Sequence, residues 1–380
     1  MTAPSHVQFS SINFAKSTPY DIFVNAIRSP ATKVAYVGSL KRYMNHLKLT
    51  EVDQLLNFGN SKIIEAQLID YIMSLRQAGI AYSTIKHLVA PLFTFYTRND
   101  VILNRKKVFD YLGEIRRAIK DGAYTLEQIQ TALQNADQRM KMIILLLAST
   151  GARVGALPGL TLGNLQKLPD YGLYKIIFYE GSNSEYYTFT TRECAQAGID
   201  NYLLYRKRCG EKLAFDPNLN RWTPGDAPLI RLSFDMNDPF QASRQVIPIR
   251  LQGLRQALTS HLIKCGLRQQ EHPTERAKRI RKPISLSKGF RKFVIGIFIQ
   301  ANLNHEIREL LSDHATQLDQ SYFRPTEKQV LEEYLKAEPY LTISNELRLQ
   351  EQVDQVRVNK NEMEEFRQEL AKLKELLFKG

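Results

Sequence analysis

The sequence predicts a mainly α chain with a small antiparallel β-hairpin, arranged as two helical units and ending in a coiled-coil-like helix. Three observations carry that prediction. Apolar residues recur at helical spacing through residues 21–120. One pair of runs rich in Tyr, Ile, Phe and Thr, Leu173–Tyr179 and Glu185–Thr190, flanks the turn residues Gly181-Ser182-Asn183-Ser184. In the last forty residues Leu349, Val356, Met363, Phe366, Leu370, Leu373 and Leu377 fall on alternating steps of three and four. Gln352 and Asn359 fill the polar slots of that seam. The same spacing also suits one amphipathic helix packed back on its own domain.

Residues 1–20 read as a loose polar leader. Ser29-Pro30 then supplies a helix start, a capping hydroxyl followed by a residue whose φ is already helical. Ala35, Tyr36, Leu40, Tyr43, Met44 and Leu47 continue that helix. A second covers Ile63–Gln77 and stops before Gly79. A third runs from Ser83 through Ile85, Leu88, Val89, Leu92, Phe93 and Tyr96, and a fourth spans Asn104–Ile119 with several basic residues. Residues 121–124, with Asp121-Gly122, form the linker. Thr125-x-x-Gln128 is a capping box that opens the second unit. Met140–Ser149 is almost wholly apolar and belongs in a core. Pro217–Pro239 is a long connection, and helices resume at Leu251–Cys265 and from Lys288.

Composition narrows the function. At 43% hydrophobic and 24% charged the chain is globular rather than disordered. A net charge of +13 favours a polyanionic partner, nucleic acid first and an anionic membrane second. The longest apolar runs, Met142–Ala148 and Phe293–Ile299, are too short to span a bilayer. The opening MTAPSHVQFS lacks the features of a signal peptide, so a cytoplasmic, soluble protein is expected. Cys194, Cys209 and Cys265 are too few and too scattered for a disulfide framework or a zinc site.

Four features of the second unit suit phosphate chemistry. Thr150-Gly151-Ala152-Arg153 follows the apolar helix directly, so an arginine projects from the end of a buried element, where its fork needs an anion. Lys288-Gly289-Phe290-Arg291 opens a later helix, and residues three apart share a face, so Lys288 and Arg291 can address one phosphate. His314 stands in Leu310-Leu311-Ser312-Asp313-His314, and Tyr322 follows eight residues later. The stretch before Lys288 is basic, with Arg268, Arg276, Lys278, Arg279, Arg281 and Lys282.

In that order and spacing these residues resemble the catalytic box of the tyrosine recombinase (phage integrase) superfamily. The phrases SYFRPTEKQVLEEYLKA and IIFYEGSNSEYYTFTT and the coiled tail look most like archaeal integrases. The resemblance implies a helical core-binding, DNA-binding domain over 21–120, a tyrosine-recombinase catalytic domain over 125–330, and a tail over 331–380. It implies a clamp around duplex DNA and a tetramer acting on two attachment sites for integration or excision of a mobile element, associated with the nucleoid. No cofactor or metal is implied. Tyr322 would be the nucleophile, forming a 3′-phosphotyrosyl link that conserves the phosphodiester's energy. Arg153 and Arg291 would hold the non-bridging oxygens, and His314 would bond the phosphate or assist proton transfer at Tyr322.

The sequence departs from the family in three places. Lys288 stands where His is commoner. Ala156 replaces the acidic residue often found three positions after the first arginine, so Arg153 needs another partner. The hairpin lysine that protonates the leaving oxygen has no counterpart at Gly181–Ser184; Lys175 is the nearest candidate, and Lys288 could substitute. Tyr334 and Tyr340 are rival nucleophiles, both further from His314 than the family spacing allows. Lys33, Lys41, Thr84, Lys86, Arg279 and Arg281 are candidate DNA contacts. Two alternatives stay open: a non-catalytic DNA-binding protein of the same fold, and a type IB topoisomerase-like relaxer.

Overall fold

The computed structural model describes residues 18–114, 121–235, 238–244, 246–270, 283–314 and 324–349. The chain divides into two compact units, Met1–Ala118 and Ile119–Gly380.

The first unit is all helical. Helix α1 (Thr18–Asn25) begins inside the expected leader, because Pro19 sits in its first turn and Phe23 and Val24 are buried. In α2 (Pro30–His46) the Ser29 hydroxyl accepts from the Thr32 amide, as the Ser-Pro start predicts. Asn60 caps α3 (Ser61–Gln77) in the same way, and α4 (Tyr82–Arg98) follows. Leu40, Tyr43, Leu68, Ile72, Ile85, Val89, Leu92 and Phe95 form the core between them.

The fourth helix is shorter than its periodicity suggests. Helix α5 (Arg105–Phe109) gives way to a 3₁₀ turn over Asp110–Leu112 and stops at Gly113, whose φ is +86°. Arg76 explains the stop. Its guanidinium donates to the Tyr111 carbonyl at 3.1 Å, and a Cβ at Gly113 would lie 3.1 Å from its Nε.

The second unit opens with α6 (Leu126–Gln134), where the capping box forms on both sides: the Thr125 hydroxyl accepts from Gln128 and the Gln128 side chain accepts from Thr125. Helix α7 (Gln138–Thr150) runs through the core, buried on every face from Met142 to Thr150. A three-stranded antiparallel sheet follows in the order β1 (Leu165–Leu168), β2 (Leu173–Phe178), β3 (Tyr186–Phe189). The expected hairpin is β2–β3, with Phe178 opposite Tyr186 and Lys175 opposite Phe189. Strand β1 was not expected, since Leu-Gln-Lys-Leu carries neither alternation nor β-branching.

A turn of π-helix over Cys194–Asp200 leads into α8 (Asn201–Arg208). The region expected as a plain connection contains structure: β4 (Ala214–Asp216) pairs with β5 (Arg221–Thr223), and α9 (Pro239–Ser243) follows. Trp222 anchors this pair by donating to the Tyr174 hydroxyl at 2.9 Å. Helices α10 (Leu251–Lys264), α11 (Lys288–Gln300), α12 (His305–Leu311) and α13 (Glu327–Leu341) complete the unit. Leu331, Tyr334, Ala337 and Leu341 of α13 are buried in the same core as α7, so the residues just after 330 pack with the unit rather than leaving it. Residues 350–380, with nearly all of the heptad pattern, lie outside the described residues.

Candidate active site

The site is assembled by three turns that hold one another. The first ends α7. Gly151 adopts a left-handed φ of +61°, and a Cβ there would come within 3.2 Å of Val294, so the turn lies tight against α11. Thr150 braces it, accepting from the Ala152 amide at 3.2 Å and donating to the Leu146 carbonyl at 2.6 Å. Arg153 leaves this turn with nearly half of its side chain exposed.

The second turn opens α11. Arg291 is half-buried and donates from Nη1 to the Gly151 carbonyl at 2.9 Å, which ties it to the turn that carries Arg153. Burial, and then the like charge of Arg153, lower the Arg291 pKa from its ordinary value. Two guanidiniums close enough to disfavour each other form a ready site for a shared anion. Lys288, one turn earlier on the same helix, is exposed.

The third turn ends α12. Arg291 donates from Nη2 to the Ser312 carbonyl, and Arg153 from Nη2 to the Asp313 carbonyl at 2.9 Å. The Asp313 carboxylate also pairs with Arg153 Nη1. Asp313 takes φ +50°, which turns the chain so that His314 returns its amide to the Glu309 carbonyl at 3.0 Å. The His314 Nδ1 lies 2.8 Å from the Glu309 carboxylate. A carboxylate only accepts, so Nδ1 is the donor in this pair, and Nε2 is the ring nitrogen left facing away from it.

The structure therefore brings Arg153, Arg291 and His314 together and adds Asp313 and Glu309, which the sequence did not single out. Asp313 answers the question raised by Ala156, since it is the acidic partner of Arg153. Tyr179 and Tyr186, at the two ends of the hairpin turn, are the other additions. Both phenols lie close enough to Arg291 to interact with it electrostatically. The Tyr186 ring stacks on Phe178 with centroids 5.0 Å apart. Burial pushes its phenol up to about 12, against the pull of Arg291, Arg153 and the Arg153 amide. Its buried hydroxyl nevertheless makes no hydrogen bond of ordinary geometry among the described residues.

Lys175 is not gathered with this group. Its ammonium pairs with Glu327 of α13 at 2.5 Å and lies 4.8 Å from the Tyr187 ring centroid. It stands three residues down β2 from Phe178, on the order of 10 Å at ~3.3 Å per residue. Tyr334 is fully buried, donates to the Ser149 carbonyl at 3.1 Å and is raised by burial, so packing accounts for it. Tyr340 is half-exposed on α13. Lys33 and Lys41 lie exposed on α2, and Thr84 and Lys86 lie in the first turns of α4. Tyr322, Arg279 and Arg281 lie outside the described residues. Among the described residues no group of three or more His, Cys, Asp or Glu could hold a metal, and no helix is long and apolar enough to cross a membrane.

No protein-family model and no curated protein matches the chain. Solved structures do. The integrase of transposon Tn1549 in complex with transposon right-end DNA is 16% identical, with a TM-score of 0.51 over 83% of this chain and 98% of that one. A variant of the same integrase with circular-intermediate DNA gives 15% identity and a TM-score of 0.52 over the same shares. XerH recombinase bound to its palindromic difH substrate is 12% identical, with a TM-score of 0.48 over 75% of this chain and 74% of that one. At these identities the likeness to the Tn1549 integrase is one of fold, and that fold includes the tyrosine recombinase catalytic domain.

Proposed function

We propose that the chain is a site-specific DNA recombinase that cleaves and rejoins DNA through a 3′-phosphotyrosyl intermediate. The observation that carries this reading is the pair of guanidiniums, Arg153 and Arg291, locked onto the turn that presents His314. Each guanidinium has five N–H donors and uses two of them on the bonds described above, so donors remain for the non-bridging oxygens of a scissile phosphate. Charge that builds on those oxygens meets groups already in place, which is the form of catalysis that needs least reorganisation. Tyr322 supplies the nucleophile and His314 Nε2 takes its proton. The 5′-hydroxyl stays free for the reverse attack, and no external energy source is needed.

The finer assignments follow from the same reading. The substrate is duplex DNA carrying an attachment site, the active species is a DNA-bound tetramer, and the biological reaction is integration or excision of a mobile element, in the manner of archaeal integrases. Lys33, Lys41, Thr84, Lys86, Arg279 and Arg281 serve as DNA contacts, so affinity falls steeply with salt.

Duplexes enriched by binding from a randomised pool supply the substrate. Each is nicked close to the cleavage point, so that the cut fragment diffuses away. Wild-type protein should remain attached to the DNA on a denaturing gel, and Arg291→Ala should bind the duplex without attaching. Strand exchange between two such duplexes separates a recombinase from a relaxing topoisomerase. Binding without attachment in the wild type would leave a DNA-binding module and sink the proposal.

A further inference from the structure

We propose that Tyr186 is the proton donor to the departing 5′-oxygen. The inference rests on the recombinase reading and names a catalytic group that reading lacks. An alkoxide is a poor leaving group and needs a proton as the P–O bond breaks. The lysine nearest the hairpin, Lys175, is held by Glu327 on the far part of β2.

Tyr186 has the placement and the chemistry. It is the first residue of β3, set opposite Phe178 and stacked on that ring, so its phenol is aimed by packing rather than by a mobile loop. Its hydroxyl is buried beside Arg153 and Arg291; the Arg153 amide points its N–H at the oxygen, and the O–H itself has no acceptor of ordinary geometry among the described residues. A buried hydroxyl whose proton has no acceptor costs stability, so such a group calls for a reason. Guanidiniums cannot provide its acceptor, because they donate only. An oxygen of a phosphodiester held by both arginines can.

The step balances. Tyr322 Oη forms a bond to phosphorus, and its proton passes to His314 Nε2. The P–O5′ bond breaks with its electron pair on O5′. The Tyr186 O–H bond breaks, O5′ takes the proton, and a tyrosinate remains beside two guanidinium charges that stabilise it. Rejoining runs the same transfers backwards. Tyr179, at the other end of the turn and more exposed, and Lys288, on α11, are the alternative donors that the test must separate.

The experiment compares two suicide duplexes that differ in one atom, with oxygen or sulphur as the bridging leaving atom. A thiolate leaves without a proton. Tyr186→Phe should slow attachment to the oxygen duplex by roughly 100-fold or more, a usual share for general acid catalysis. On the sulphur duplex it should run within about threefold of wild type, whereas Arg291→Ala should stay slow on both. Unchanged DNA affinity and melting temperature in Tyr186→Phe exclude a folding defect. As a second readout, 3,5-difluorotyrosine at position 186 should move the alkaline limb of the rate profile to lower pH for oxygen only.

Equal losses on both duplexes would overturn the proposal, as would no loss on either. Sulphur rescue in Tyr179→Phe or Lys288→Ala but not in Tyr186→Phe would give the proton to that residue instead. Wild-type protein that attaches to neither duplex would end the recombinase reading, and the donor with it.

Discussion

Two pairs of arginines lie in the second unit, and they are used in opposite ways. Arg206 and Arg231 are fully buried around Glu211. Arg206 donates to Glu211 from Nε at 2.9 Å and from Nη2, and its Nη1 reaches the Pro228 and Leu229 carbonyls at 2.9 Å each. Arg231 reaches Glu211 at 2.7 Å and the Ala242 and Gln241 carbonyls at 2.8 and 2.7 Å. Arg153 and Arg291 have between them one carboxylate, from Asp313 to Arg153, and three carbonyls, and nearly half of the Arg153 side chain is exposed. An arginine pair enclosed in the protein around a carboxylate and several carbonyls is a structural joint. One left with donors and access can bind an anion. Burial and the count of acceptors distinguish the two where residue type cannot.

The comparison breaks most visibly if the roles are interchangeable. Arg291→Ala should lower the rate of covalent attachment about 10³-fold, on the order of 4 kcal/mol of transition-state stabilisation, with little change in melting temperature. Single-turnover kinetics on a nicked duplex measure the first quantity and calorimetry the second. Glu211→Ala should do the reverse. Stranding two buried guanidiniums costs about 3–5 kcal/mol, which urea denaturation would report as a lower midpoint. A Glu211→Ala protein as stable as wild type would show that the buried pair does not depend on its carboxylate.

Smaller effects sharpen the active pair. Glu309→Ala removes the acceptor that fixes the His314 ring, and attachment should slow roughly 10- to 100-fold at unchanged DNA affinity. Asp313→Asn should have the smallest effect and the opposite sign for binding. Arg153 loses an internal competitor, so phosphate-analogue and DNA affinity should rise a few-fold, by less than about 1 kcal/mol for so exposed a pair. Titrations at two salt concentrations would show it. Weaker binding in Asp313→Asn would mean that the carboxylate holds Arg153 in place rather than competing for it.

How much of this the sequence reveals depends on the range of the interaction. The helix starts at Ser29-Pro30 and Thr125-x-x-Gln128 are local, and they form as the residues dictate. The hairpin is local as well, because its turn chemistry and its flanking runs adjoin. Arg153, Arg291 and His314 were legible through order and spacing. Their partner Asp313 was not, since its bond to Arg153 joins residues 160 positions apart. Tyr186 could not be picked out of 18 tyrosines until the fold set it opposite Phe178 and beside the arginines. The early end of α5 has the same origin: helical spacing continues past residue 110, and only Arg76, arriving from α3, explains the turn at Gly113. Lys175 illustrates the converse, a suitable residue type within the right hairpin whose strand position directs it to Glu327.

The central claim is that this arginine pair serves a tyrosine nucleophile, and identifying the attached residue tests it most directly. Wild-type protein is trapped on a nicked duplex and digested, and the DNA-linked peptide is sequenced by mass spectrometry. The expected result is a link from Tyr322 to a 3′-phosphate, a free 5′-hydroxyl on the released strand, and no attachment by Tyr322→Phe. Attachment through Tyr340, or tight binding with no link on oxygen or sulphur duplexes, would contradict it.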